Sequence, residues 1–423
     1  MDKIIVSGGH PLNGTVRISG AKNSVLPIIV ATLLSEGRCV LEDVPRLADV
    51  QIIKDVLGSL GSEVSFEENT MMVNGATVDK VQAPYEYIKK MRASVLIMGP
   101  LLARFGRAVL SLPGGCAIGA RPIDLHLKGL ETLGAQITIR DDEVIAEVPG
   151  GKLKGGHIFL RVPSVGATEN LMMAASLADG ETTIENAAEE PEIVDLANFL
   201  NAMGARVRGA GTGIIRIKGV DVLHGASHAI IPDRIEAGSY LLAGALPGNR
   251  VTVSNCIADH LLPVLDKIRE SGATVEINNM ANTVTVIGGE RIKPVDVTTL
   301  PYPGFPTDMQ SQFMAYMTLA DGTSQFTETI FENRYMHVDE LRKMGADIKV
   351  EGRNAFVKGV PTLYGAKVRA TDLRAGAALI IAGLAAKGET TIGDLYHLDR
   401  GYEDLIGKFQ SLGAVIQRLD DGT

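Results

Sequence analysis

The hydrophobic positions of the chain follow one pattern that recurs six times. In each copy, an almost wholly apolar segment of helical length ends in glycine and precedes a β-rich run, as in SVLPIIVATLLSEG and RAGAALIIAGLAAKG. A second helical segment with one apolar face follows, as in EIVDLANFLNAMG. The first kind of helix must be buried on all sides, whereas the second can lie nearer the surface. The pattern predicts a repeated β-α-β-α-β-β unit.

Each one-sided helix ends in a glycine that precedes a small residue and a β-branched strand. Glycine at that place fits the left-handed C-terminal cap of a helix. The regular spacing indicates a repeated scaffold, and units of this size are compact subdomains rather than solenoid repeats. We therefore expect two domains of three units each. The marker glycines, which recur at intervals of about 70 residues, are Gly61, Gly134, Gly204, Gly272, Gly345 and Gly413.

The two ends of the chain complement each other. The last copy stops after a single strand, while the chain begins with a spare strand ahead of the first copy. Pairing these two strands would remove an exposed sheet edge. We therefore predict one domain from residues 21–230 and a second from residues 1–20 together with 231–423, with crossings near Gly20 and Ile230 that form a hinge.

Composition and charge narrow the functional classes. The chain has 423 residues, of which 45% are hydrophobic and 22% charged, as expected for two to three globular domains. A net charge of −9, with no basic block and no Trp, argues against nucleic-acid binding. The longest apolar runs, residues 25–34 and 375–386, are too short to cross a bilayer. Because the N-terminus also lacks the features of an export signal, we expect a cytoplasmic protein that binds no membrane.

Candidate chemistry lies where a strand leads into a helix, because helix N-termini favour anions. A lysine and several arginines at such junctions of an acidic protein form a plausible site for phosphate or carboxylate groups, and this chemistry requires no metal or cofactor. The alternative is scattered surface charge, but recurrence at equivalent junctions favours a site. The residues concerned are Lys22, Asn23, Arg92, Arg121, Thr307, Asp308, Arg334, Asp372, Arg374 and Arg400.

Cys116 lies in the segment PGGCAIGARP, whose glycines predict a mobile loop and whose Arg121 can tune the thiol. The favoured interpretation is a reactive lid, and the alternative is a passive loop cysteine. Three distant cysteines in the chain argue against a disulfide framework. A zinc site at His224 and His228 is disfavoured, because they lie in a glycine-containing loop with no third ligand in view.

Several segments together carry a resemblance to a known enzyme family: SGAKN, PGGCAIGARPIDLHLKGLETLGA, PSVGATEN, FPTDMQSQ, FENRYMHVDELRKMGA, TDLRAGAALIIAGLAA and HLDRGYEDL. From end to end, the chain resembles the UDP-N-acetylglucosamine enolpyruvyl transferases of the EPSP synthase superfamily. The resemblance implies an inside-out α/β barrel fold with two domains, each of three β-α-β-α-β-β repeats. It also implies transfer of the enolpyruvyl group of phosphoenolpyruvate to the 3-hydroxyl of UDP-N-acetylglucosamine with loss of phosphate, the first committed step of peptidoglycan synthesis.

The resemblance implies catalytic roles for individual residues. Cys116 matches the family's proton donor to C3 of phosphoenolpyruvate, which also forms a thioether adduct and is alkylated by fosfomycin. A thiol can act both as an acid and as a nucleophile from one position. Asp308 matches the carboxylate beside the sugar 3-hydroxyl and is the candidate base. Lys22, Arg121 and Arg400 match contacts to phosphoenolpyruvate, where fixed positive charge stabilises the phosphate.

Further matches concern the sugar nucleotide. One departure from the family is Val162, which stands where some members carry a lysine; the adjacent Arg161 or backbone amides can substitute for that contact to the diphosphate. The matching positions are Asn23, a contact shared with the sugar; Arg121, Pro122, Ile123, Asp124 and Leu125, around the uracil ring; Ser164, Val165 and Gly166, through their backbone to the diphosphate and sugar; Ile330, near the sugar; and Arg92, Arg334, Asp372 and Arg374, in support of the anionic substrates and of closure.

Other functions stay open at this point. The shikimate-pathway enolpyruvyl transferase shares the six-unit fold, but it lacks the cysteine loop. A catalytically silent paralogue would bind UDP-N-acetylglucosamine as a sensor, although all the catalytic motif residues are present here. An RNA-processing enzyme on a similar scaffold is disfavoured by the acidic charge. Some bacteria carry two paralogues of the enzyme, and the sequence does not place this chain in either class.

Overall fold

The computed structural model describes residues 2–111 and 123–419, with strands and helices alternating along the chain. The strands of this part of the chain are β1 (Lys3–Ser7), β2 (Asn13–Arg17), β3 (Arg38–Glu42), β4 (Glu63–Glu67), β5 (Thr70–Asn74), β6 (Arg107–Ser111), β7 (Gln136–Arg140), β8 (Glu143–Glu147), β9 (His157–Phe159), β10 (Glu181–Glu185), β11 (Arg206–Arg208), β12 (Ile214–Lys218), β13 (Ser227–Ala229), β14 (Arg250–Ser254), β15 (Thr274–Asn278), β16 (Thr283–Ile287), β17 (Val297–Thr298), β18 (Thr323–Thr327), β19 (Asp347–Glu351), β20 (Asn354–Lys358), β21 (Lys367–Arg369), β22 (Glu389–Gly393) and β23 (Val415–Leu419).

The helices vary from one turn to more than three. They are α1 (Lys22–Ala31), α2 (Ala48–Ser59), α3 (Tyr85–Lys90), α4 (Met98–Phe105), α5 (Asp124–Thr132), α6 (Val165–Ala175), α7 (Pro191–Ala202), α8 (Arg234–Ala245), α9 (Leu262–Glu270), α10 (Gln310–Met317), α11 (His337–Lys343), α12 (Leu373–Ala385), α13 (Tyr396–Asp399) and α14 (Leu405–Ser411). None of the helices in the described ranges is long and apolar enough to span a membrane.

The predicted repeat is confirmed in the sheets. In one copy, β9 leads through α6 to the parallel strand β10, and α7 then leads to the hairpin of β11 and β12. Strand β12 pairs antiparallel with β10, which gives the sheet order β11-β12-β10-β9. Sheets of three or four strands recur six times in the described chain. The fold is therefore the α/β repeat architecture that the sequence predicted.

The six marker glycines all have the backbone conformation that the sequence predicted. Their φ angles lie between 96° and 105°, in the left-handed region that disfavours residues with a Cβ atom. Each follows the last turn of a one-sided helix and reverses the chain into the next strand; Gly61, for example, follows α2, and Gly413 follows α14. The glycine at the end of each one-sided helix is therefore required by its backbone conformation rather than by a side-chain contact.

The chain forms two compact units. Unit N comprises residues 20–111 and 123–231 of the described chain, and unit C comprises residues 2–19 and 232–419. Each unit has its own continuous hydrophobic core. The chain ends pair as expected within unit C, because β1 lies antiparallel to β23 with Ile4 opposite Arg418.

Within each unit, the apolar helices lie inside and the sheets lie outside. All residues of α8 are buried, and α10 packs against α12 in the same unit. In unit N, α4 packs against α6 in the same way. The strands bury alternate residues, as β12 does, and so present one face to the helices and one to solvent. This arrangement brings the N-termini of the inner helices to the ends of the layers, where the candidate residues lie.

Candidate active site

The first candidate pair, Lys22 and Asn23, opens helix α1 of unit N. The chain reaches this helix through Ala21, whose amide donates to the carbonyl of Ile231 over 2.7 Å and whose own side chain offers no cap. The Lys22 ammonium group lies 3.1 Å from Oδ2 of Asp49, a carboxylate on α2 that is 1% exposed. Lys22 is itself only 14% exposed, so its charge is held in place at a helix N-terminus.

Asp308 of unit C lies in a short 3-10 turn, Thr307–Met309, directly ahead of α10. Its Oδ1 accepts a hydrogen bond from Nη2 of Arg334 at 3.0 Å, and its Oδ2 accepts one from Nη2 of Arg374 at 2.9 Å. The two arginine side chains are 4% and 3% exposed. Each carboxylate oxygen is therefore paired with a separate buried guanidinium group.

This pairing decides the charge of the group. Burial alone would raise the pKa of the Asp308 carboxyl, but the guanidinium groups of Arg374 and Arg334 hold it well below its usual value. Burial tends to lower the pKa of Arg374, and the Asp308 carboxylate more than offsets that effect, so its pKa is raised. Both shifts favour the charged forms, an Asp308 carboxylate beside an Arg374 guanidinium group.

Some guanidinium N–H groups of Arg334 and Arg374 are not used in the contacts to Asp308. Nη1 of Arg334, and Nε and Nη1 of Arg374, are buried and make no hydrogen bond to the described residues. Buried donors without a partner are costly, and they suit a ligand that carries negative charge. Their planar groups also lie over aromatic rings, Arg334 at 5.2 Å from the ring centre of Phe331 and Arg374 at 5.5 Å from that of Tyr402.

Asp372 and Arg400 complete the predicted set in unit C. Asp372 caps α12, because its Oδ1 accepts from the amides of Arg374 and Ala375 at 2.8 and 3.0 Å. This cap fixes the helix turn from which the Arg374 side chain projects. Arg400 ends α13 and lies 6.0 Å from the ring centre of Tyr396.

Glu328 is a residue of this site that the sequence analysis missed. Its side chain is fully buried, and its Oε2 accepts from the Thr307 hydroxyl at 3.0 Å. Its Oε1 accepts from the Thr299 hydroxyl and from the amides of Ile330 and Phe331 at 2.9 to 3.2 Å. Glu328 thereby holds both the turn that carries Asp308 and the segment that carries Ile330. A charged residue inside the β-rich run ahead of FENR was the only signal available.

The predicted nucleotide segment is described in part. Cys116, Arg121 and Pro122 lie outside the described residues, as does the side chain of Arg92. Ile123 is buried and Leu125 packs against the core of unit N. Asp124 begins α5 and accepts a hydrogen bond from Nη2 of Arg161 at 2.8 Å, while its buried Oδ1 makes none to the described residues. The arginine beside Val162 is therefore tied to the predicted uracil segment.

Ser164, Val165 and Gly166 form the N-terminus of α6. Ser164 is the cap, and its hydroxyl accepts from the amide of Ala167 at 3.3 Å. A Cβ atom on Gly166 would lie 3.3 Å from the ring of His126, closer than an ordinary van der Waals contact. All three residues are partly exposed, so the amides of an eleven-residue helix face solvent there and suit an anionic group.

The structure thus brings together Asp308, Arg334, Asp372 and Arg374 in unit C. In unit N it places Lys22 and Asn23 on α1, and the Ser164–Gly166 turn beside α5. Among the described residues, no group of three or more His, Cys, Asp or Glu side chains is arranged to hold a metal ion.

Comparisons with known proteins identify the family of the chain. The sequence matches the family described as EPSP synthase (3-phosphoshikimate 1-carboxyvinyltransferase) over residues 6–409. It is 56% identical to UDP-N-acetylglucosamine 1-carboxyvinyltransferase 1 of Halalkalibacterium halodurans, over 99% of this chain and 95% of that protein. It is 54% identical to UDP-N-acetylglucosamine 1-carboxyvinyltransferase 2 of Carboxydothermus hydrogenoformans, over the full length of both.

Solved structures show the same fold. The enolpyruvyl transferase NikO from Streptomyces tendae is 25% identical and superposes with a TM-score of 0.89, covering 99% of this chain and 98% of that one. EPSP synthase from Acinetobacter baumannii, at 19% identity and a TM-score of 0.78, covers 99% and 100% and shares the fold. The chain therefore belongs to the UDP-N-acetylglucosamine 1-carboxyvinyltransferase family, within the wider EPSP synthase family.

Proposed function

We propose that the protein transfers the enolpyruvyl group of phosphoenolpyruvate to the 3-hydroxyl of UDP-N-acetylglucosamine and releases inorganic phosphate, as the first committed step of peptidoglycan synthesis in the cytoplasm. The observation that carries the proposal is the Asp308 carboxylate held between the buried guanidinium groups of Arg334 and Arg374. Such a cluster offers an acceptor for a hydroxyl proton beside donors for an anion. Its place in a family named for UDP-N-acetylglucosamine and for carboxyvinyl transfer supports the assignment.

The reaction needs an acid, an acceptor for the hydroxyl proton and a cradle for charge. A proton from Cys116 adds to C3 of phosphoenolpyruvate, and O3 of the sugar forms a bond to C2, which gives a tetrahedral phospho-ketal. Return of a C3 proton to the Cys116 thiolate and breakage of the bond from C2 to the phosphate oxygen then give the enolpyruvyl ether and free phosphate, which carries away the proton of the 3-hydroxyl. Lys22, Arg121 and Arg400 hold the phosphate and the carboxylate by fixed positive charge.

Asp308 can orient the sugar 3-hydroxyl or accept its proton, and its surroundings decide which role comes first. A carboxylate paired with two guanidinium groups accepts a hydrogen bond and orients a hydroxyl well, but it is a weak base. It gains basicity when one arginine turns its charge toward a bound anion. We infer that Asp308 first orients the 3-hydroxyl, and accepts its proton once Arg374 or Arg334 has engaged the substrate.

Recognition of the sugar nucleotide draws on unit N. The amides of Ser164, Val165 and Gly166 at the N-terminus of α6 suit the diphosphate, and Asp124 with its neighbours in the RPIDL segment suits the uracil ring. Asn23, Arg92, Ile330 and Asp372 support the two substrates. We also propose that the enzyme has two domains, residues 21–230 and residues 1–20 with 231–423.

Phosphate release tests the assignment. The protein is given phosphoenolpyruvate alone, with UDP-N-acetylglucosamine, or with shikimate 3-phosphate, and inorganic phosphate is measured. The proposal predicts release only with the sugar nucleotide. Release with shikimate 3-phosphate instead would assign the shikimate-pathway reaction, and tight binding of the sugar nucleotide without any release would make the chain a binding protein rather than an enzyme.

A further inference from the structure

One buried carboxylate joins three separate segments of unit N. Asp195, on helix α7, is 3% exposed, and both of its oxygens are engaged. Oδ2 accepts hydrogen bonds from the Ser24 hydroxyl at 2.5 Å and from the amide of Ile231 at 3.4 Å. Oδ1 lies 2.8 Å from Nε2 of His228, on strand β13. The side chain thus links α1, α7 and the segment that follows β13.

The contact to Ser24 reaches the turn that opens α1. Ser24 is fully buried, so its hydroxyl makes no contact with solvent. In the chain, Ser24 directly follows Lys22 and Asn23. Helix α1 has no side-chain cap and no acidic residue in its first turn. Asp195 adds a carboxylate at this N-terminus from a neighbouring helix, besides Asp49, which pairs with Lys22. It also accepts from Ile231, whose carbonyl accepts the amide of Ala21, the residue before the helix.

His228 fixes the carboxylate from its other side. The imidazole is 14% exposed, and its ring centre lies 5.4 Å from that of Phe199, one turn along α7 from Asp195. The order of the groups differs from that of a nucleophilic triad, because the carboxylate lies between the serine and the histidine. His228 therefore does not take a proton from Ser24, and the arrangement holds the helix in place rather than activating a nucleophile.

We propose that Asp195 is a positioning residue, which acts through Ser24 to hold the first turn of α1 so that Lys22 and Asn23 meet the anionic substrate. This inference rests on the function proposed above. A charged group at an active site loses much of its effect when it moves by about 1 Å. The contact between Asp195 and Ser24, which we call the clamp, fixes the turn that carries Lys22 and therefore matters for catalysis.

Substitutions in the full-length protein separate the clamp from a general effect on folding. Asp195→Asn and Ser24→Ala each lower kcat/KM for phosphoenolpyruvate by about tenfold. Because both act through one contact, the double variant loses no more than Asp195→Asn alone. His228→Gln, which keeps a donor for Oδ1, loses less than His228→Ala.

Ser176→Ala is the matched control. Ser176, which directly follows α6, is also fully buried, and its hydroxyl donates to the carbonyl of Met172 at 2.9 Å, so the same atom and one hydrogen bond are removed. This variant keeps the kcat/KM of the unaltered protein. An equal loss for Ser176→Ala and Ser24→Ala, or additive losses for Ser24→Ala and Asp195→Asn, would overturn the proposal.

Hydrogen exchange tests the contact between Asp195 and Ser24 independently of the proposed enzymatic function. Amide exchange in α1 is faster in Asp195→Asn than in the unaltered protein, whether or not the chain releases phosphate from phosphoenolpyruvate. Absence of phosphate release would refute the proposed function and leave the exchange result standing. Unchanged exchange in α1 would refute the clamp. Should Asp195→Asn fail to fold, Ser24→Ala carries both measurements.

Discussion

Nη2 of Arg374 lies 2.9 Å from Oδ2 of Asp308, although 66 residues separate the two in the chain. Arg374 is 3% exposed, and Arg334 occupies the other carboxylate oxygen. The pair combines a buried carboxylate with guanidinium groups that also lie over the rings of Phe331 and Tyr402. We therefore propose that stability and chemistry depend on the same contact.

Arg374→Ala leaves Asp308 with one cationic partner in a largely buried place, so we expect the free energy of unfolding to fall by on the order of 3 kcal/mol. Adding Asp308→Asn leaves the buried Arg334 guanidinium group without its carboxylate, so we expect the free energy of unfolding to fall further. Urea denaturation measures both. The control is Arg291→Ala, whose partner Asp321 is exposed and whose loss costs about 1 kcal/mol or less. An Arg374→Ala protein as stable as the control would contradict the energetic role of the pair.

Lys22→Gln separates stability from activity at the other candidate group. It removes the cation beside Asp49, which is 1% exposed, and we expect a loss of about 3 kcal/mol in the free energy of unfolding. It also lowers kcat/KM for phosphoenolpyruvate by about a hundredfold, because a fixed charge on the phosphate is lost. The double variant with Asp49→Asn regains stability but not activity. Recovery of both would mean that Lys22 serves the fold alone.

His337 predicts a pH dependence of stability. Burial lowers the pKa of the His337 imidazole to about 4. The charge of Asp372 opposes this shift, and the charge of Arg334 adds to it. Nε2 of His337 lies 3.3 Å from the sulfur of Met314. Because the folded form disfavours the protonated ring, its contribution to stability is complete above pH about 6.5 and is lost as the pH falls toward 4. A difference of one pKa unit between the folded and unfolded states corresponds to about 1.4 kcal/mol.

Thermal unfolding between pH 7 and pH 4 tests this effect. The melting temperature of His337→Gln falls less over that interval than that of the unaltered protein. His10→Gln is the control, because His10 is exposed, and it follows the unaltered protein. Parallel curves for all three proteins would show that the buried imidazole does not titrate with folding.

The contact between α4 and α6 depends on the absence of one Cβ atom. At Gly99 that atom would lie 2.4 Å from the backbone carbonyl oxygen of Asn170, which leaves no room for it. We expect Gly99→Ala to cost about 1 to 3 kcal/mol by overpacking. Gly58→Ala on α2 meets nothing within 4 Å and is expected to be neutral or slightly stabilising. Chemical denaturation of the two variants gives the comparison, and equal stabilities would refute the packing argument.

Local signals explain why much of the fold is predictable from the sequence. Gly61 and Gly413 end their helices with a positive φ angle, a requirement that the sequence of any single copy reveals. The spare strand β1 needs a partner, which the other end of the chain supplies. The pairing of Arg334 and Arg374 on one carboxylate has no such signal, because they lie 26 and 66 residues from Asp308 in the chain. Glu328 and Asp195 were missed for the same reason: their side-chain partners lie 21 or more residues away and become neighbours only in the folded unit.

The most direct test of the central claim is a balance of phosphate and product for the unaltered protein and for Cys116→Ala. Both are given phosphoenolpyruvate and UDP-N-acetylglucosamine, and mass spectrometry follows the sugar nucleotide. We expect the unaltered protein to form one enolpyruvyl ether of the sugar nucleotide for each phosphate released, and Cys116→Ala to form neither while still binding the sugar nucleotide. Phosphate without the ether, or full turnover by Cys116→Ala, would contradict the account.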